Sequence, residues 1–405
     1  MFANTVSDNI FAKPRTGSRF RIFIQPPMTP AFQFPETIVL PAAPGEIGVG
    51  PSDSRFYTVS PAQKKKPYDP PNSLPPFDGP MHEPAVPDRR GHFDKIPVES
   101  AAFRSAHVFA CARMTLAAWE RFLGRPIPWA FHFPQMELVP EVDWSNAHSG
   151  YGFIELGHSA KRSDGVLVPY WLNFDVVAHE VGHAILFSLM PLSSGTKPSR
   201  EYRAFHETGS DMVAILAAMH SEQLLRHVLD STSGDIYGFN ELNRLGEVSS
   251  VEQVRMACND KRVQDVAGAE KVHIYSLPVT GAIFDILSLN YLRQLQRRNA
   301  IPSEIVEELL NSDHVGDAFP RLHRVFETAY SANHDLFLAA LKDARDYVGT
   351  LLANTFAQLH ADSLSYLNVA NTLLFVNQRL FGGYDESELA EIFLWRGIGS
   401  GYSRC

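Results

Sequence analysis

The sequence predicts an α+β protein, with a strand-rich N-terminal half followed by a mostly helical C-terminal half. Three observations carry this prediction. The first hundred residues are rich in proline and poor in helical periodicity. From about Val98, apolar residues recur at helical spacing. After Asn173 nearly every segment reads as helix. The chain has 405 residues, 45% hydrophobic and 20% charged, enough to bury one large or two ordinary cores. Its net charge of −9 argues against nucleic acid or an anionic membrane as the main partner.

Taken in order, "FRIFIQ" and "ETIVL" predict short strands. The segment Pro61 to Asp88 carries too many prolines for a helix or a central strand, so an extended surface segment is expected. Its basic run, Lys64, Lys65 and Lys66, reads as a solvated loop. "ESAAFRSAHVFACARMTLAAWERFLG" predicts a long helix stopped by Gly124 and Pro126. "WAFHFPQMELVP" and "GYGFIELGHSA" alternate as strands do. Helices are then expected at about 174–190, 201–229, 278–298, 303–312, 317–329, 334–358, 362–381 and 385–394. The expected divisions are 1–97, a proline-rich strand and loop region, then 98–190 and a helical 191–405.

Cys111, Cys258 and Cys405 are widely spaced and odd in number, so neither a disulfide framework nor a cysteine metal site is expected. Cys111 fits a small core residue. No stretch reaches the roughly 18 to 20 apolar residues that span a bilayer. The first twenty residues lack the apolar core of a secretory signal, so a cytoplasmic protein is expected.

The chemistry concentrates in "FDVVAHEVGHAIL", residues 174–186. On a helix His179 and His183 lie on one face and can turn one ring nitrogen each toward a single ion. Zinc suits such nitrogen and oxygen donors, at about 2.0–2.1 Å from nitrogen. A catalytic site needs three protein ligands and an open position. Glu180, beside the first ligand, can take a proton from water as it attacks a carbonyl. This is the H-E-x-x-H pattern. The competing reading is of core or surface histidines on an ordinary helix. A third ligand is expected from a separate helix, and "EYRAFHETGSDMVAIL" supplies Glu207 and Asp211 four apart on one face. Glu207 can ligate, and Asp211 can accept the outward N–H of a ligand histidine. Two solvated acids are the plainer alternative. His206 competes for the ion, but points about 100° away from Glu207.

Here the sequence resembles the thermolysin-like family of zinc metallopeptidases. "DVVAHEVGHA" resembles the family's zinc-binding helix, and "HETGSD" its N-E-x-x-x-D segment, with His206 in place of the usual asparagine. "VHIYS" is similar to the segment whose histidine stabilises the oxyanion, which implies that role for His273. "NAH" resembles the edge-strand segment that pairs with the substrate, implying substrate binding by Asn146 and Ala147. The four segments span residues 146–276 in the family's order. The resemblance implies a two-lobed fold, with a strand-rich N-terminal lobe that carries a long helix. A helical lobe faces it across an active-site cleft. The implied activity is a zinc endopeptidase acting on an extended peptide or protein. It also implies an arginine on a substrate carbonyl, with Arg244 at nearly the right distance and Arg255 and Arg262 as rivals.

The chain departs from the family in three places. The gap between His183 and Glu207 is longer, with "PLSSGTKPSR" inside it. Tyr202, the only tyrosine there, does not align with the family's oxyanion tyrosine. Asp175 matches one calcium ligand, but "AAMHSEQLLRH" offers only Glu222 where the acidic cluster stands, so calcium is not expected. Val176, Val177 and Phe205 fit pocket walls or core equally. Two other readings stay open. An aminopeptidase would need an acid to capture the substrate amine, and no G-x-M-E-N-type segment is present. An inert zinc-stabilised binding protein would have its site closed by a fourth ligand such as His148 or His206, and would have no use for Glu180.

Overall fold

The computed structural model describes residues 17–159, 168–245, 255–310 and 315–399. The chain opens with β1 (Ser18–Ile22) and β2 (Glu36–Leu40), an antiparallel pair whose alternate residues are buried. After β3 (Phe56–Thr58) comes the long helix α1 (Ala101–Leu123). The Ser100 side chain accepts from Phe103 N at its start, and Gly124 ends it at φ 75°, the left-handed conformation glycine adopts without strain. The strands β4 (Met136–Val139), β5 (Ala147–Gly150) and β6 (Phe153–Leu156) join β3 in the order β3-β4-β6-β5. β3, β4 and β6 run parallel, and β5 is an antiparallel edge strand.

From there the architecture is helical. α2 (Phe174–Leu189) and α3 (Arg200–Ala218) are followed by α4 (Glu222–Thr232). A two-stranded ladder, β7 (Arg244–Leu245) with β8 (Arg255–Met256), precedes the short helices α5 (Val263–Val266) and α6 (Val272–Tyr275). Then come α7 (Leu277–Arg297), α8 (Ser303–Leu310), α9 (Val315–Phe356), α10 (Tyr366–Phe381) and α11 (Glu386–Trp395). The molecule is a mixed α/β structure. Its main hydrophobic cluster runs from Phe20 to Ile398 and draws on both halves of the chain. α1 is the hub, packed against β1, α2, α3 and α9. Its Trp119 is fully buried, stacks on Phe356 at 5.3 Å and donates to Val213 O at 3.3 Å. Among the described residues no helix is long and apolar enough to cross a membrane.

Several boundaries differ from the sequence reading. The expected helix 201–229 is two helices, because Ser221 caps a new start by accepting from Leu224 N. The helices expected at 317–329 and 334–358 meet end to end, with Asn333 non-helical at φ −143°, ψ 37°. In "WAFHFPQMELVP" only Met136–Val139 is strand, and the aromatic run before it packs ring on ring instead. The basic run is corrected at one residue. Lys64 is not solvated: its side chain is 8% exposed, 3.3 Å from Glu155 Oε1 and 3.6 Å above the Tyr68 ring.

The cause is a pair of fully buried carboxylates on adjacent strands, Glu137 of β4 and Glu155 of β6. Buried acids require partners, and the proline-rich segment supplies most of them, with Tyr57 of β3 and His148 of β5. Glu137 accepts from Tyr68 Oη at 2.6 Å, Tyr57 Oη at 2.7 Å and Phe77 N at 2.9 Å. Glu155 accepts from Tyr68 N at 2.7 Å and lies 2.7 Å from His148 Nε2 across β5. The segment is thus fastened to the sheet that carries the edge strand.

Candidate metal centre

α2 begins where Asn173 accepts from the N–H groups of Asp175 and Val176, at 3.0 and 3.4 Å. It then packs closely along α3, and two glycines allow this. A Cβ on Gly182 would stand 2.7 Å from Ser210 Cα, and one on Gly209 would stand 2.7 Å from Leu186 Cδ1. Gly182 lies between His179 and His183, and Gly209 between Glu207 and Asp211. The same close approach therefore sets the distance between the two imidazoles and the two acids.

The structure brings His179, His183 and Glu207 together. Each offers one ligand atom, and these atoms all lie within 4.8 Å of one another, a group able to hold a metal ion. His179 Nε2 is 3.5 Å from Glu207 Oε2, and His183 Nε2 is 3.8 Å from Glu207 Oε1. Asp211, 1% exposed, places Oδ1 2.9 Å from His179 Nδ1. A proton held on Nδ1 by that contact leaves Nε2 as the donor atom facing Glu207. Burial pushes the Glu207 carboxyl up. With no ion between them, the facing imidazoles of His179 and His273, together with the nearby His183, outweigh it and hold the group well below the usual carboxylate range.

Glu180 is 6% exposed and faces the same cleft of about 390 Å³. His273, on the single turn of α6, places Nδ1 2.8 Å from Glu207 Oε2 and is half exposed. Tyr366 steadies that turn by donating to Tyr275 O at 2.7 Å. Asn146 and Ala147 line the same cleft, and Gly157 N donates to Asn146 O at 2.9 Å. The cleft thus brings the edge strand β5, which packs against α2, together with the metal trio.

Other expected residues are not part of the trio. Arg244 is buried at the β7–β8 ladder with its guanidinium 4.6 Å from the Phe239 ring centre. It is not among the described residues lining the cleft. Arg262 lies over Trp395 at 4.2 Å, and the side chain of Arg255 falls outside the described residues. Tyr202 is buried, with its hydroxyl 3.4 Å from Met190 O. His206 is buried between Tyr202 and Phe187 and stacks on His183 at 5.8 Å, and burial pushes its pKa down to about 4. Neither His206 nor His148 belongs to the ligand trio. Val176 lines the cleft, whereas Val177 and Phe205 are core.

Tyr170, Ser149 and Phe187 also line the cleft. Two of them carry a sequence signal. Ser149 shares a strand face with Ala147, and Phe187 follows His183 by one helical turn. Tyr170 reaches the site only through the turn before α2 and has no such signal. No family model matches the chain, and no curated protein matches it.

Proposed function

We propose that the protein is a zinc-dependent peptidase that cleaves peptide bonds within an extended peptide or protein, on a two-lobed thermolysin-like framework. The observation that carries this reading is the trio His179, His183 and Glu207, with Glu180 buried beside it in one cleft. The donor set fits zinc: two imidazole nitrogens, one carboxylate and a hydrogen-bonded partner behind His179. The trio has three members and not four among the described residues, which supports an open, catalytic site over a closed structural one. Zinc bound there would supply a Lewis acid that polarises the scissile carbonyl and acidifies water.

The chain's own residues do the rest. Glu180 takes a proton from the attacking water and passes it to the leaving amine. His273, at the rim, donates to the carbonyl oxygen as it gains charge. The edge of β5, unpaired among the described residues, holds the substrate backbone as an added strand at Ala147, with Asn146 just before it, through the main-chain hydrogen bonds such pairing provides.

The test is Glu180→Gln. Removing the base should lower kcat by about 10²- to 10⁴-fold while the zinc content of the protein stays at the parent level. A Glu180→Gln protein that hydrolyses peptides as fast as the parent would end this reading.

A further inference from the structure

A second cavity, of about 320 Å³, opens beside the metal cleft and shares two of its walls, Ser149 and Phe187. Its other walls are almost wholly apolar: Phe131, Met136 and Tyr151 on one side, Ala184 and Leu192 on the other. Phe187 is 41% exposed and Tyr151 43% exposed, large apolar surfaces left open at the mouth of a cleft. The aromatic wall is built. Phe131 stacks on Trp129 at 5.7 Å and meets the Tyr151 ring at 6.0 Å. At the junction the Ser149 hydroxyl is shielded from solvent and makes no hydrogen bond among the described residues.

The position of this cavity along β5 gives it a side of the substrate. Asn146 to Ser149 face the metal cleft, and Ser149 to Tyr151 face the apolar cavity. The cavity therefore lies beside the C-terminal end of the edge strand. A peptide laid antiparallel on β5, the more stable ladder, runs the other way. Its residues near Gly150 precede the bond held at the metal. We infer that this cavity is a specificity pocket that takes a large apolar side chain, aromatic or leucine-like, from the acyl side of the scissile bond. This rests on the peptidase reading above and adds a substrate class to it. Pro191 and Leu192, from the connection between α2 and α3, form the outer wall, so that connection sets the depth of the pocket.

The test is cleavage-site profiling of the zinc-loaded full chain on a mixed peptide library, with matched reporters carrying Phe or Gly at the enriched position. The parent should show enrichment of Phe, Tyr, Leu or Met at one acyl-side position. Ala130→Phe, which fills the cavity from its exposed rim, should lower the ratio of kcat/KM for the Phe over the Gly reporter by about tenfold or more. If Ala130→Phe cleaves neither reporter, Leu192→Ala carries the test. It removes wall volume, and should raise the preference for Trp over Leu at the same position. Cleavage by the parent without acyl-side apolar enrichment, enrichment only on the amine side, or unchanged ratios in both variants would overturn the pocket and leave the peptidase reading standing. Absence of all cleavage by the parent would overturn both.

Discussion

At the residue scale, the informative contact is Asp211 Oδ1 at 2.9 Å from His179 Nδ1. A carboxylate behind a ligand imidazole fixes the tautomer and the ring direction. Asp211→Asn should therefore weaken zinc affinity by about 10- to 100-fold, measured by competition with a chromophoric chelator. An unchanged affinity would show that the ring is held by packing alone. That His179 and His183 share one face, and Glu207 and Asp211 another, was legible in the sequence because helical spacing fixes which side chains share a face. The place of Arg244 was not, because whether an arginine faces a cleft depends on tertiary packing. Here the β7–β8 ladder holds it in the interior. His148 reads as a loop residue in isolation, and only the register of β5 on β6 sets it opposite Glu155.

At the element scale, the crossing of α2 and α3 sets the site. Gly182→Ala would place a methyl group 2.7 Å from Ser210 Cα, a backbone atom that cannot turn aside. It should cost about 1–3 kcal/mol in stability, read from the denaturant midpoint, and lower zinc affinity in the same variant. A neutral effect on both would mean that the helices can separate without loss. The second element-scale prediction concerns the proline-rich segment. Glu155→Ala leaves the buried ammonium of Lys64 without its carboxylate, and should cost about 3–5 kcal/mol. Limited proteolysis should then nick the 61–88 segment first. An unchanged midpoint would show that the segment is held by its prolines and not by its ion pair. The strong helices were legible because caps and periodicity are local. This fastening was not, since it joins Lys64 and Tyr68 to acids more than sixty residues away.

At the scale of the whole molecule, the single main cluster running from Phe20 to Ile398 makes stability a joint property of both halves. Part of its pH dependence follows from groups buried far from the cleft. Burial pushes the His107 pKa from 6.5 down to about 3, and His220 is pushed the same way by burial and by Arg345. In the folded chain both stay neutral where the unfolded chain takes up protons, so stability falls as pH drops below about 6.5. Glu36 acts in the opposite sense. Burial, opposed by a hydrogen bond with Ser221, raises it from 4.5 to about 7, so its contribution is lost as pH rises through that window. Between about pH 4.5 and 6.5 the two histidines outweigh the one acid. Stability should rise with pH there, and more steeply in Glu36→Gln, as read from Tm against pH. A flat profile would contradict the burial of His107. The mixed α/β class was legible from proline content and periodicity. That the two halves share one core was not, because the long-range packing of α1 on α3 and α9 leaves no local mark. The central claim, that these packed elements hold one catalytic ion at His179, His183 and Glu207, is tested most directly by a chelator-stripping and zinc-restoration assay of peptide hydrolysis. The prediction is loss of activity on stripping and full recovery at one equivalent of zinc per chain. Hydrolysis that persists in the stripped protein, or saturation at any other stoichiometry, would contradict it.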